Sequence, residues 1–185
     1  LPHIDPWMSI LLPALLWFGS GGSFTFGGAK PVPVNPRKFR NYRKGDILVS
    51  AAGVTTNLIL ALVWSVGFVL VGMLAPALSS MTPMLDTVQR MMVYGIWLNL
   101  ILCFFNLIPV PPLDGSHLLY HALPPGAGSW YRGLQRFGYL PIFALMFLFR
   151  PVMALLLTPA FKGMGFLLHI ILPFSVGDGW NIFQS

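Results

Sequence analysis

The architecture is decided by one stretch, Asn106-Leu-Ile-Pro-Val-Pro-Pro-Leu-Asp-Gly115, which ends a long apolar run. Its three prolines stop a helix abruptly, because proline lacks a backbone N–H and fixes φ. Asp114 is the acidic residue that lies at the end of an apolar run, and Gly115 after it frees the backbone. The stretch therefore predicts a rigid turn that presents one carboxylate beside an apolar helix.

The composition around this turn is typical of a membrane protein. Hydrophobic residues make up 56% of the 185 residues and charged residues only 9%, whereas roughly a quarter of the residues in soluble domains are charged. The apolar residues also fall in runs long enough to cross a bilayer. This composition excludes a conventional soluble domain.

The apolar runs predict an all-α, polytopic membrane protein with about three full transmembrane helices plus short or re-entrant segments. The three spans are expected over Ile47–Leu78, Met91–Ile108 and Leu140–Leu157, the last of them interrupted by Arg150-Pro151. A polar connection is expected over Ser79–Arg90, and a partial or interfacial helix over Phe161–Phe174, which is too short for a full span. The membrane domain is expected over residues 1–174 and a tail over 175–185.

The basic residues give an orientation. The net charge is +6, but six of the eleven Lys and Arg lie between Lys30 and Lys44, directly before an apolar run. Such a cluster is typical of a cytoplasmic loop beside a membrane, not of a nucleic-acid-binding surface. We therefore expect an integral protein of a bacterial cell membrane, with the Lys30–Lys44 loop cytoplasmic, the lipid bilayer as its surroundings and no nucleic-acid partner.

Polar residues inside the apolar runs are candidate functional residues, because they are costly in a bilayer. Asn57 follows Gly53 by four residues and shares a helical face with it, and Asn106 lies near the end of the second run. These asparagines suit interhelical hydrogen bonds, with Gly53 allowing close approach. Their position also allows a role in chemistry, and the residues alone leave both interpretations open.

Asp114 also has more than one interpretation. It could cap a short helix over residues 116–123, or it could bind a metal ion at the end of the rigid turn. With His117 and His121 it forms an i, i+3, i+7 stripe, which is a possible three-ligand zinc set. All five acidic residues are aspartates, so a mechanism that needs a glutamate base cannot be completed by these residues alone.

The Asn106–Gly115 stretch resembles the NxxPxPxLDG signature of the site-2 proteases, intramembrane zinc metalloproteases of the M50 type. Three further pieces follow in the order found in that family: His3-Ile-Asp-Pro6, the Lys30-Pro-Val-Pro-Val-Asn35 loop and the Gly53-xxx-Asn57 pair. The resemblance covers nearly the whole chain to about Leu157.

The resemblance implies a zinc metalloendopeptidase that hydrolyses membrane-spanning protein or peptide substrates with metal-activated water. Asp114 would be one ligand of Zn²⁺, and in the family two histidines of an HExxH helix are the others, with its glutamate as general base. No HExxH occurs in this sequence. In relatives that helix precedes the His3–Pro6 stretch, so we expect the chain to begin after it and to be inactive alone.

The resemblance also implies roles around Asp114. Asn57 and Asn106 would orient the substrate backbone or stabilise the oxyanion. The residues expected to line the substrate path are Gly53, Lys30, Pro31, Pro109 and Pro111. Two other classes of protein stay open: a catalytically inactive relative that keeps the fold as a binding or regulatory module, and a small transporter or channel.

The orientation can be tested by cysteine-accessibility labelling at Arg40 and Ser80. The positive-inside pattern predicts that these two positions react with impermeant reagent from opposite sides of the membrane. Labelling of both positions from one side would contradict the predicted topology.

Overall fold

The structure is a computed structural model, and it describes residues 10–19, 41–177 and 180. The chain divides into two compact units, residues 1–40 and 41–185. The helices are α1 (Leu12–Gly19) in the first unit, and α2 (Tyr42–Leu74), α3 (Thr82–Asn106), α4 (Asp114–Ala122), α5 (Pro125–Arg132), α6 (Leu140–Leu148) and α7 (Arg150–Ile171) in the second. Short 3₁₀ segments cover Ala75–Met81, Gly133–Phe137 and Leu172–Phe174. All regular structure in these described ranges is helical, which confirms the predicted all-α class.

Two helical stretches among the described residues are long and apolar enough to cross a membrane, Tyr42–Asn106 and Arg150–Phe174. The first of them contains both α2 and α3, joined by a 3₁₀ turn. In the most apolar 18-residue segment of each stretch, only 17% and 22% is buried, whereas the core helix of a soluble protein would be mostly buried. Apolar side chains that face outward along α2, such as Val63 and Val66, favour surroundings of lipid.

The bounds predicted for the third apolar run, Leu140–Leu157, are wrong. The chain leaves the helical conformation at Phe149, where φ is −116° and ψ is 44°. Helix α6 therefore has nine residues, too few to cross a bilayer. Pro151 in the first turn of α7 suits the start of a new helix, and Phe161–Phe174, expected to be a partial helix, continues this 22-residue helix and its 3₁₀ end.

The polar connection predicted over Ser79–Arg90 is also wrong for most of its length, because α3 begins at Thr82. Pro83 lies in the first helical turn, where its missing N–H costs nothing. Arg90 then forms an ion pair with Asp86 one turn earlier and stacks over the Trp180 ring. These polar residues therefore extend the helix instead of forming a loop.

The core of the second unit lies where α2, α3 and α7 meet. Its buried side chains include Phe68 from α2, Ile96 from α3, and Met164 and Ile171 from α7. Close approach of α2 and α3 depends on small residues, since a Cβ at Gly95 would lie 3.0 Å from the Trp64 ring.

Gln89 of α3 fastens the far end of this core. Its side chain is fully buried, and its Nε2 donates to the carbonyl oxygens of Phe68 and Phe174, each at 3.0 Å. Its Oε1 accepts from the backbone N–H of Val176 at 2.7 Å. Because every polar atom of this amide has a partner, the residue joins α2, α3 and the segment after α7 at little desolvation cost.

The close contact at Gly72 generates a stability prediction. A Cβ at Gly72 would lie 1.9 Å from the carbonyl oxygen of Phe174, so Gly72→Ala should lower the free energy of unfolding by about 1–3 kcal/mol through overpacking. Gly165→Ala is the matched control, because a Cβ placed at that position on α7 would meet nothing within 4 Å. Thermal unfolding in detergent should show a lower midpoint for Gly72→Ala alone, and equal midpoints for the two variants would contradict the contact.

Candidate metal centre

The turn after α3 is held in place by its surroundings. Ile108 packs in an apolar cluster with Ile142 and Met153. The Tyr131 hydroxyl of α5 donates to the carbonyl oxygen of Pro109 at 2.8 Å, and Pro111 is fully buried. The proline turn predicted from the sequence therefore joins α3 to α4 in one fixed arrangement.

Gly115 is required for a reason other than the one the sequence suggested. It lies in the first turn of α4, and positive φ values occur among the described glycines only at Gly138 and Gly177. A Cβ at Gly115 would instead lie 2.2 Å from the carbonyl oxygen of Leu107. The glycine therefore lets α4 pack directly on the backbone of the turn, and conformational freedom is not what it supplies.

Asp114 is the first residue of α4, and it does not cap the helix. The N-cap position belongs to Leu113, and no side chain forms a capping hydrogen bond there. Within the described part of the chain, the Asp114 carboxylate has no hydrogen-bond partner. The capping interpretation is therefore not observed, and the carboxylate is left available for another ligand.

The Asp114 carboxylate lies against the bare face of α2 at Gly53. A Cβ at Gly53 would be 3.0 Å from Oδ2 of Asp114, so glycine allows the carboxylate to approach α2 more closely than a side chain at this position ordinarily would. Burial raises the pKa of the Asp114 carboxyl above its usual value, and the nearby His117 partly offsets that rise. A half-buried carboxylate that has no hydrogen-bond partner among the described residues suits an ion as its compensating charge.

The histidines of α4 do not turn toward Asp114. His117 Nδ1 lies 3.1 Å and His121 Nε2 lies 2.7 Å from the same oxygen, Oδ2 of Asp46 on α2. No group of three His, Cys, Asp or Glu side chains in the described ranges is arranged to hold a metal ion. The zinc set considered for Asp114, His117 and His121 is therefore not formed, and Asp46 is the partner that sequence reasoning missed.

The asparagines differ in their partners. Asn99 bonds within its own helix, from Nδ2 to the Gly95 carbonyl oxygen at 2.8 Å. Asn57, one turn beyond Gly53, and Asn106, at the end of α3, are half-buried. Neither amide has a hydrogen-bond partner among the residues that the structure describes, so both amide groups are free to bind another molecule.

The other predicted site residues fall into two groups. Pro109 is exposed, whereas Pro111 is buried in the packing of the turn. Lys30 and Pro31, together with the His3–Pro6 stretch, lie outside the described residues.

The donor chemistry of the site fits one part of a zinc centre. A carboxylate oxygen is a regular zinc ligand, and a catalytic site needs three protein ligands and one open position. Asp114 supplies a single short carboxylate on a rigid turn. The remaining ligands would have to come from residues other than the described ones.

Comparison with known proteins identifies related sequences. The family model of peptidase family M50 matches residues 10–148, which include the turn and Asp114. A Bacillus subtilis (strain 168) protein, provisionally named zinc metalloprotease YwhC, is 35% identical over 147 residues. That alignment covers 80% of this chain and 62% of the relative, so the chain spans less than two thirds of the length of that protein. No solved structure matches significantly.

The different surroundings of the two aspartates generate a prediction. Asp114→Asn should not destabilise the chain without metal at neutral pH, because a raised folded-state pKa means that the ionised carboxyl is less favourable in the folded chain. Removal of this charge should even stabilise the folded chain slightly at neutral pH. That stabilisation should disappear once the pH falls below the pKa of the Asp114 carboxyl in the unfolded chain, because the carboxyl is then neutral in both the folded and the unfolded states. Asp46→Asn, the same chemical change, should destabilise by about 1–3 kcal/mol because it weakens two hydrogen bonds to a charged group.

Chemical or thermal unfolding at several pH values measures both variants. A loss of stability in Asp114→Asn equal to that in Asp46→Asn would show that the Asp114 carboxylate has a structural partner.

Proposed function

The chain belongs to peptidase family M50, the site-2 proteases, and on that premise we propose that its gene product is an intramembrane zinc endopeptidase. It would hydrolyse peptide bonds of membrane-spanning protein or peptide substrates. The observation that carries this proposal is the Asp114 carboxylate, which a rigid turn holds against Gly53 without a capping bond. An unpaired, half-buried carboxylate is costly unless a cation compensates it, and a catalytic metal ion is such a cation.

Asp114 would hold zinc together with two histidines from outside the described residues. His117 and His121 are not candidates for that role, because both already bond to Asp46. Zinc, when bound, supplies a Lewis acid and a water molecule of lowered pKa. A glutamate base would also have to come from beyond this sequence, which contains aspartate as its only acidic residue type.

The substrate would be oriented by amide groups of this chain. Asn57 lies one helical turn beyond the contact of Gly53 with Asp114, and Asn106 directly precedes the turn that ends in Asp114. Both amides have N–H groups without a partner among the described residues, so they can donate to a substrate backbone carbonyl or to the oxyanion. Water exclusion by the surrounding apolar helices would strengthen these hydrogen bonds.

Part of the substrate path would run along the turn after α3. Pro109 is exposed and could contact the substrate directly, whereas the buried Pro111 would act by keeping the turn in shape. Lys30 and Pro31 belong to a proline-rich stretch of sequence outside the described residues, and we propose that this stretch pairs with an unwound substrate strand.

We also propose that α2, α3 and α7 cross a bacterial cell membrane with the Lys30–Lys44 loop in the cytoplasm. Arg43 at the start of α2 bonds to His121 on α4, and Arg132 on α5 stacks over Tyr120 of the same helix. Arg43 and Arg132 therefore both lie at the end of α2 where α4 lies. A basic cluster at one end of a helical bundle supports the positive-inside orientation.

Asp114→Asn in the full-length gene product tests the proposed zinc ligand. Asparagine keeps the size of the side chain but removes the anionic ligand, so cleavage of a transmembrane reporter should fall at least about 100-fold. Expression and membrane insertion should be unchanged.

Asp86→Asn is the matched control, since this aspartate pairs with Arg90 far from the turn and its substitution should leave cleavage intact. Near-wild-type cleavage by Asp114→Asn at matched expression would refute the assignment.

A further inference from the structure

Asp46, which lies in none of the family motifs, holds both histidines of α4 through one oxygen atom. Its Oδ2 lies 3.1 Å from Nδ1 of His117 and 2.7 Å from Nε2 of His121. A carboxylate only accepts hydrogen bonds, so each of these ring nitrogens donates its hydrogen. The side chains of Asp46 and His121 are 17% and 6% exposed, so water competes little for the bond between them, whereas the His117 side chain is 36% exposed.

Two further contacts fasten the same end of α4 to the start of α2. The Arg43 guanidinium donates to the backbone carbonyl oxygen of His121 at 2.8 Å, where a cation also interacts favourably with the carboxyl end of a helix. The Tyr42 ring meets the His121 ring edge-on at 5.8 Å between centroids. Asp46 is therefore the centre of a contact between the first turns of α2 and the last turn of α4.

This contact fixes the rotation of α4 about its own axis. A helix of nine residues is not stable by itself and takes its orientation from its contacts. Asp114, His117 and His121 are spaced by three and four residues, so they lie on one helical face. Holding the two histidines on Asp46 therefore turns Asp114 toward the face of α2 that carries Gly53, seven residues along from Asp46.

We propose that Asp46 is a positioning residue for Asp114, and this inference rests on the proposed function. By accepting hydrogen bonds from His117 and His121, Asp46 sets the direction in which the Asp114 carboxylate meets the metal ion. Removal of a contact that orients a metal ligand typically lowers metal affinity or activity by about 10–100-fold.

The Asp46, His117 and His121 side chains are better explained by this role than as a second metal site. Both ring nitrogens point at one carboxylate oxygen, whereas ligands of an ion surround a common empty centre. The described residues also contain no group of three arranged to hold a metal ion. A second bound zinc is therefore an outcome that the experiment must distinguish.

The first measurement is hydrogen exchange on the full-length gene product, which requires no activity. In Asp46→Ala the backbone amides of residues 117–122 should exchange about tenfold faster or more, because α4 loses the bonds that hold it. Asp86→Ala is the matched control, since it removes an aspartate from the other end of the core; the exchange rates in α4 should not change. Unchanged exchange in Asp46→Ala would overturn the proposal.

The second measurement compares zinc affinity, kcat and KM in the same variants. Asp46→Ala should weaken zinc binding by about 10–100-fold and lower kcat with little change in KM, because the substrate-binding groups stay in place. Asp86→Ala should alter none of the three values. A purely structural role for Asp46 would instead lower the folded fraction and leave these constants unchanged per folded molecule.

The outcomes separate this proposal from the one it rests on. If Asp114→Asn is inactive but Asp46→Ala keeps wild-type zinc affinity and kcat, the positioning role is wrong and the proposed function stands. If Asp114→Asn is active, both are wrong. A second equivalent of zinc that Asp46→Ala removes would show a metal site at Asp46 and overturn the positioning role.

Discussion

The seating of α4 against α2 is the contact on which the candidate site depends. At one point Gly53 allows the Asp114 carboxylate to approach α2 more closely than a side chain at this position ordinarily would. At the other, Asp46 accepts hydrogen bonds from His117 and His121. Because α4 is too short to be stable alone, these contacts and the proline turn determine where the only carboxylate of that helix points.

Near the two ends of the long helices, polar side chains join separate segments. Between these ends the helices pack through small residues, and the buried Ser65 and Asn99 bond to carbonyl oxygens one turn earlier in their own helices. Gln89 joins three segments near Gly72, and Asp46 joins α2 to α4 about 40 Å away along the helix, at about 1.5 Å per residue. Between these ends, Gly95 allows α3 to approach the Trp64 ring of α2. This division is physically reasonable, because an unsatisfied polar group in the middle of an apolar bundle costs several kcal/mol.

The sequence predicts the helical class, the proline turn and the place of Asp114, because apolar run length and proline chemistry act locally. Prediction from sequence fails where a polar residue bonds to a distant partner. The polar residues at the start of α3 predict a loop, but Gln89 is buried in the helix because it bonds to carbonyl groups 21 and 85 residues away. Asp46 was missed for the same reason, since its partners lie 71 and 75 residues along the chain. The break at Phe149 has a local signal in Arg150-Pro151, which interrupts the apolar run, but this signal alone does not show that one helix ends there and a separate 22-residue helix begins.

The proposed chemistry depends on zinc coordination by Asp114 and not by the histidines beside it. X-ray absorption at the zinc edge of the full-length gene product tests it most directly, by comparing the first coordination shell of the wild type with those of Asp114→Asn and of a His117→Ala, His121→Ala variant. If Asp114 is the ligand, an oxygen contribution at carboxylate distance changes in Asp114→Asn, while the number of imidazole ligands stays the same in the double variant. Loss of imidazole scattering in the double variant, with an unaltered shell in Asp114→Asn, would contradict that assignment.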